Sequence, residues 1–289
     1  MPSRELLKKA ESGDVEAMYQ YAQAYSELAK TRDNFDEDIK VVMHWIKKAA
    51  ELGHAEAQSQ LASGLRAYDE NEEAFLWEEK AAKQGLASAQ FNLAVCYQNG
   101  TGTPINYDKQ FYWHKKAAEN GLTEAKHSVA VCYIIGQGTN PDFEQAVYWL
   151  KQAANEGHAN AKARLGAFYI QGMGVSANEA KGIALVREAA KLGDERAKEM
   201  LEEMGLPQSP PAKSGGCYIA TCVYGSYDST EVLVLRRFRD DVLYRSLFGR
   251  IFIRTYYAIS PMMVRFFGKY SWFREMWKPV LDKVVNYLR

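Results

Sequence analysis

A glycine closes the same phrase five times along this chain, and that regularity restricts the fold more than any other feature. The phrases are WIKKAAELG (45–53), WEEKAAKQG (77–85), WHKKAAENG (113–121), WLKQAANEG (149–157) and LVREAAKLG (185–193). Gly53, Gly85, Gly121, Gly157 and Gly193 are separated by 32, 36, 36 and 36 residues. A degenerate copy, LLKKAESG, ends at Gly13, 40 residues before Gly53, so the first two spacings average to the same 36. A period of this length marks stacked units, none of which can bury its apolar face alone.

Each unit reads as two helices. One opens its closing phrase on Trp45, Trp77, Trp113 or Trp149, continues through a pair of alanines small enough for a close helix–helix approach, and ends at the glycine. Glycine takes the left-handed conformation that stops a helix. The other helix carries Leu93, Ala94 and Tyr97, which recur as Val129, Ala130 and Tyr133 and as Leu165, Gly166 and Tyr169. Positions i, i+1 and i+4 form one helical stripe. Glycine-rich loops at 100–102, 136–138 and 172–174 then turn the chain. The unit over 63–75 lacks such a loop and is four residues short, and the first unit carries the insert AKTRDNFDED. The array closes with the charged segment GDERAKEMLEEMG (193–205), polar as a terminal repeat must be. The Pro-, Ser- and Gly-rich LPQSPPAKSGG (206–216) reads as a linker.

Period, phrase and loop together make residues 1–205 resemble the Sel-one-like repeats (SLR), relatives of the tetratricopeptide repeats. The resemblance implies an all-α fold, a right-handed α-α superhelical solenoid, and a protein partner bound on the repeat surface.

Composition enters where the repeats stop. Residues 1–216 hold 24 Lys+Arg against 30 Asp+Glu, a net of −6, and residues 217–289 hold 12 against 6, a net of +6. The tail also has 16 of the 36 aromatic residues. Such asymmetry predicts two segments with different tasks, or two that attract each other. No apolar signal segment opens MPSRELLKKAESGD and no uncharged run approaches the ~20 residues of a spanning helix, so a cytoplasmic location is expected. Four cysteines in a chain this long make no disulfide framework. No metal or cofactor is expected: Cys217 and Cys222 are five apart with no histidine in the tail. Cys96 and Cys132 share one repeat position with Phe168, which reads as core packing. His54 and His158 share the place after the turn glycine, and His44 and His114 flank repeat tryptophans, so repeat position explains them better than catalysis.

In the tail, Asp228 and Glu231 read as the first turn of a helix with Val232, Leu235, Phe238 and Val242 on one face. Arg236 with Asp240, and Arg237 with Asp241, have the i,i+4 spacing of ion pairs. A break is expected at Gly249, a restart at Ser260–Pro261, and a last helix from Pro279 with Val280, Val284 and Leu288 on one face. Three blocks, CYIATCVYGS, EVLVLRRFRD and GRIFIRTYYAISP, resemble the CFI-box C-terminal domain, placing a second, small helical domain over 217–289. The matching residues are Cys217, Ile219, Ala220, Thr221, Tyr224 and Gly225, then Leu235, Arg236, Phe238, Arg239 and Asp240, then Gly249, Phe252, Tyr256, Tyr257, Ser260 and Pro261. That resemblance brings a module without a chemistry.

Three functions fit these residues. A scaffold would bind a protein through the repeats. A cysteine-dependent enzyme or redox sensor would use Cys217 as nucleophile, its thiolate favoured by Arg236, Arg239 or a helix starting near Ile219. A peripheral membrane contact would use Arg245, Arg250, Arg254 and Arg265, interleaved with Phe248, Phe252, Phe266, Phe267 and Trp272. The competing reading makes those aromatics the tail's own core. No recognised motif points to nucleic acid, and none is expected as a partner.

Overall fold

The computed structural model describes residues 3–30, 35–206, 218–225, 229–243, 246–268 and 270–288, which form sixteen helices and no strand. They divide into two compact units, Met1–Ala153 and Ala154–Arg289.

The first unit contains α1 (Arg4–Glu11), α2 (Val15–Ala29), α3 (Phe35–Glu51), α4 (Ala55–Ala67), α5 (Asn71–Lys83), α6 (Ala87–Asn99), α7 (Tyr107–Glu119), α8 (Thr123–Ile135) and most of α9 (Phe143–Asn155). Consecutive helices from α1 to α8 pack on one another. The repeated phrase explains both ends of this packing. Its alanine pairs, Ala49–Ala50, Ala81–Ala82 and Ala117–Ala118, are buried, and their carbonyls also end the helix. The Gly53 amide donates to Ala50 and the His54 amide to Ala49, and Gly121 and Leu122 repeat this with Ala118 and Ala117. These are Schellman closures, with the glycine at a φ of 97° at Gly53 and 92° at Gly121. The following helix is capped where the chain allows it: Asp14 Oδ1 accepts from the Ala17 amide at 3.0 Å and His54 Nδ1 from the Ala57 amide at 3.3 Å. Leu86 and Leu122 hold the same cap position without a side-chain bond.

The second glycine of the first two Gly-x-Gly loops meets a different demand. A Cβ on Gly102 would lie 2.1 Å from the Asn71 carbonyl oxygen, and one on Gly138 2.0 Å from that of Tyr107. The loop therefore rests directly on the first turn of α5 or α7, and only a residue without a side chain fits.

The second unit continues with α10 (Ala159–Gln171), α11 (Glu179–Lys191) and α12 (Glu195–Glu203), closed and capped by the same devices at Gly193 and Asp194. After the undescribed stretch 207–217 come α13 (Tyr218–Tyr224), α14 (Thr230–Asp241), α15 (Leu247–Phe267) and α16 (Ser271–Leu288). α13 packs on α14, α15 and α16, and α14 on α16. This helical group docks on the last repeat. Leu233 of α14 joins the core formed by Ile183, Val186 and Leu201, beside Ile170, Met200, Met204 and Leu206. The Thr230 hydroxyl donates to the Glu179 carboxylate, and Arg237 Nη2 to the Met204 carbonyl at 3.4 Å.

The tail corrects several expectations. The N-cap of α14 is Ser229, whose hydroxyl accepts from the Val232 amide at 3.4 Å, and Asp228 lies outside the described residues. Val232 is buried on that helix, but Val242 falls beyond its end and is exposed. α15 runs unbroken through Gly249 and through Ser260–Pro261, and α16 starts at Ser271 with Pro279 inside it. A proline inside a helix costs ~3 kcal/mol in isolation. Here both helices are held from outside, by Ile253 on α15 and by Phe273 and Val285 on α16, all at most 5% exposed. The inward stripe of α16 is Phe273, Trp277, Leu281 and Val285, which turns the expected Val280 and Val284 outward.

Candidate functional site

The repeat places one set of residues in clefts between alternate helices. Counting from the cap, positions 2, 5, 6 and 9 of α4 are Glu56, Ser59, Gln60 and Ser63, which with Tyr19 of α2 and Ser88 of α6 line a cleft of about 190 Å3. In the second unit the same positions line a cleft of about 420 Å3. They are Asn160, Ala163, Arg164 and Ala167 on α10 and Arg196, Glu199, Met200 and Glu203 on α12. The helical period of 3.6 keeps these positions on one side while positions 3 and 7 face the core. Position 3 is alanine in every copy, Ala17, Ala57, Ala89, Ala125, Ala161 and Ala197, and each is buried. Position 6 varies, as Gln20, Gln60, Asn92, Ser128, Arg164 and Met200. Arg164 Nε donates to Asn160 Oδ1 at 2.9 Å. Burial, then repulsion from Arg196, hold the Arg164 guanidinium below its ordinary pKa.

Beneath this face, the residue after the repeat tryptophan, or after Leu185 in the last unit, is always buried. It is Ile46, Leu150 or Val186 in three units but Glu78 and His114 in the other two. Glu78 is fully enclosed and accepts from Ser59 Oγ at 2.8 Å, Arg66 Nη1 at 2.9 Å and Asn92 Nδ2 at 3.0 Å. That accounts for both carboxylate oxygens and makes the pair with Arg66 structural. His114 has no hydrogen bond at Nδ1, and burial draws its pKa down to about 4. Sequence reasoning did not single out Glu78, although a glutamate at a position otherwise apolar was visible in the alignment of the units. Trp45 and Trp149 are buried, and Trp77 and Trp113 partly so.

Cys96 and Cys132 are buried, as core packing requires, and burial pushes the Cys132 thiol up to about 11. Such thiols stay protonated and unreactive. His54 is a helix cap whose Nε2 meets Glu16 Oε2 at 3.0 Å and whose ring stacks on Tyr19. His158 caps α10 in the same way, its Nδ1 accepting from the Ala161 amide at 3.1 Å. Among the described residues no group of three His, Cys, Asp or Glu is placed to hold a metal.

In the tail, Cys217 lies outside the described residues, as do the side chains of Thr221, Asp240, Asp241, Tyr257 and Pro261. The remaining motif residues divide into groups. Ile219 and Ala220 are buried on α13, and the Ile219 amide donates to the Tyr256 hydroxyl at 3.1 Å. Ala220, Phe238, Arg239 and Tyr256 come together around an apolar groove of about 230 Å3, completed by Leu235, Phe252, Leu281 and Val284. Arg236 and Ser260 are buried, and Gly225 follows α13 with a φ of 74°. Tyr224 turns elsewhere, donating to Asp282 Oδ1 at 2.7 Å. That bond, then Lys278, hold the Asp282 carboxyl below its usual range. No sequence signal links Tyr224 to Asp282, because 58 residues separate them. The Cys222 thiol donates to the Gly268 carbonyl at 3.5 Å, and burial raises its pKa. The reading of the tail aromatics as its own core fails for Phe252, Phe267 and Trp272, which are exposed. Among the described residues no helix is long and apolar enough to cross a membrane.

Helical pairs of fixed period, with a constant packed side and a variable open side, define an α-solenoid of interaction repeats. The Sel1 repeat family model matches residues 15–54, 55–86, 87–122, 123–158 and 159–194, more than half of the chain, and the chain belongs to that family. It is similar to a protective antigen of uropathogenic Escherichia coli strains that displays an SLR fold, at 30% identity and a TM-score of 0.63. The match covers 71% of this chain and 45% of the antigen, so this chain spans less than half of that protein. A Sel1 repeat protein from Oxalobacter formigenes is similar at 27% identity and a TM-score of 0.58, over 66% of this chain and 78% of the other. No curated protein matches the chain. Sel1 repeat proteins are generally protein-interaction scaffolds and typically not enzymes.

Proposed function

We propose that this chain is a scaffold that holds a protein partner through the clefts lined by positions 2, 5, 6 and 9 of the repeat helices, at α4 in the first unit and at α10 and α12 in the second. The repeat array over 1–205 carries the binding, and residues 217–289, with their CFI-box resemblance, form an accessory module. The observation that carries this reading is the contrast between the invariant buried alanine at position 3 and the changing residue at position 6. A side of the helix whose residue type the repeat does not dictate is available for recognition. Affinity capture with the full chain tests it. Gln60→Trp with Ala167→Trp fills both clefts without entering a core, and the captured partner is expected to be lost. A partner retained at full occupancy by that variant overturns the reading.

A second reading, contact of the tail with an anionic lipid surface, is favoured by one feature of α16. Trp272, Met276 and Val280 lie four apart along it and are each 50% exposed, with Arg274, Lys278 and Lys283 exposed on the same helix. Lys283 lies on the same side of the helix as these three, and an exposed aromatic with a basic neighbour suits the lipid interface. The full chain is expected to float with phosphatidylserine-containing vesicles at low salt and to be released as salt rises. Flotation unchanged by Trp272→Asp with Val280→Asp, or none at low salt, would sink this idea. The cysteine-enzyme reading rests on Cys217, which lies outside the described residues.

A further inference from the structure

The cleft between α10 and α12 is electrically polarised along its length. Arg164 and Arg196 stand at one end, Glu199 and Glu203 towards the other, and Phe168, Ala167 and Met200 form an apolar floor between them. Asn160 engages Arg164, but among the described residues Arg196, Glu199 and Glu203 form no ion pair. At the arginine end the Asp194 carboxylate caps α12 and faces Arg164, leaving Arg196 as the exposed cation there. Arg196 and Glu203 are seven residues apart, or ~10 Å at ~1.5 Å per residue. An extended chain advances ~3.3 Å per residue, so ~10 Å corresponds to about three of its residues.

We propose that this cleft binds an extended peptide segment of the partner that carries an acidic side chain and, about three residues away, a basic one. The acidic group pairs with Arg164 and Arg196, where a bidentate carboxylate also relieves the repulsion between two neighbouring cations. The basic group reaches Glu199 and Glu203. The Gln171 side-chain amide and the Asn160 Nδ2, both in the lining, are of the type that bonds a peptide backbone. This inference deepens the scaffold reading and rests on it.

Panning a phage-displayed random heptapeptide library against the immobilised full chain tests both at once. The expected outcome is enrichment of sequences with Asp or Glu two to four residues from Lys or Arg. Synthetic versions are expected to bind Arg164→Glu/Arg196→Glu about tenfold more weakly, and Ala167→Trp not at all. Arg196→Glu alone, at an exposed position, is expected to weaken binding severalfold while leaving the helical circular dichroism intact. Binding should also fall as salt rises from 0.05 to 0.5 M, about as screening requires. Peptides blocked by Ala167→Trp but indifferent to charge reversal overturn the proposal and leave the scaffold reading standing. Peptides that bind Ala167→Trp normally, or no enrichment at all, overturn both.

Discussion

Gly138→Ala is expected to destabilise the repeat array by about 3 kcal/mol or more, whereas Gly121→Ala costs only about 1 kcal/mol. Both glycines sit at positive φ, 70° and 92°, so the conformational penalty is similar. What differs is the space around them. A Cβ on Gly121 meets nothing within 4 Å, while one on Gly138 would stand 2.0 Å from the Tyr107 carbonyl oxygen and 2.9 Å from Phe111 Cβ. Those atoms belong to the backbone and first turn of α7, which cannot swing aside as a long side chain can. Either the loop lifts off or α7 shifts against α6, and each opens a well-packed boundary. Urea unfolding followed by circular dichroism separates the two variants. Equal losses would show that backbone conformation alone governs these loops.

Acid is expected to weaken the fold through His114, and His114→Leu to remove that weakness. The side chain is 2% exposed and burial lowers its pKa to about 4. Between pH ~6.5 and about 4 the unfolded chain takes up a proton that the folded chain refuses, so stability falls as pH falls. The full loss amounts to roughly 3 kcal/mol, at ~1.4 kcal/mol per unit of displacement. Carboxylates also titrate below pH ~5, but they do so in both proteins. The drop in unfolding free energy between pH 7.5 and 4.5 should therefore be smaller in the leucine variant by about 2–3 kcal/mol. Leucine is the natural comparison, because Leu150 fills the equivalent place with no exposure at all. An identical pH dependence in both proteins would contradict the assignment.

The sequence made the helical repeat legible because its signals are local and recur. Gly53, Gly121 and Gly193 terminate helices within a few residues of the alanines whose carbonyls they help satisfy. The role of His54 and His158 was half visible: their shared position was plain, but not that a ring nitrogen serves as the cap. Glu78 escaped notice because its meaning depends on Arg66 and Asn92, which only the stacking of α4, α5 and α6 brings within reach. In the tail, local rules misled. Ser260–Pro261 and Pro279 have the chemistry of helix starts, yet α15, packed on α13, and α16, packed on α13 and α14, pass through them. The inward stripe of α16 also differs from the expected one by a single residue, which rotates a helix by ~100°. Among apolar residues this dense, pattern alone does not choose between the two.

The docking of α14 onto the final repeat bears on how such an array stops. A unit that stacks on a copy of itself specifies no length, and its terminal surface is complementary to a surface every other molecule also carries. Head-to-tail contacts of that kind do not close on themselves and grow into fibres. Leu233 on the Met200–Met204–Leu206 cluster, with Thr230 on Glu179, fills that terminal seat with a segment that is not a repeat. A further repeat stacked at that place would first have to displace α14.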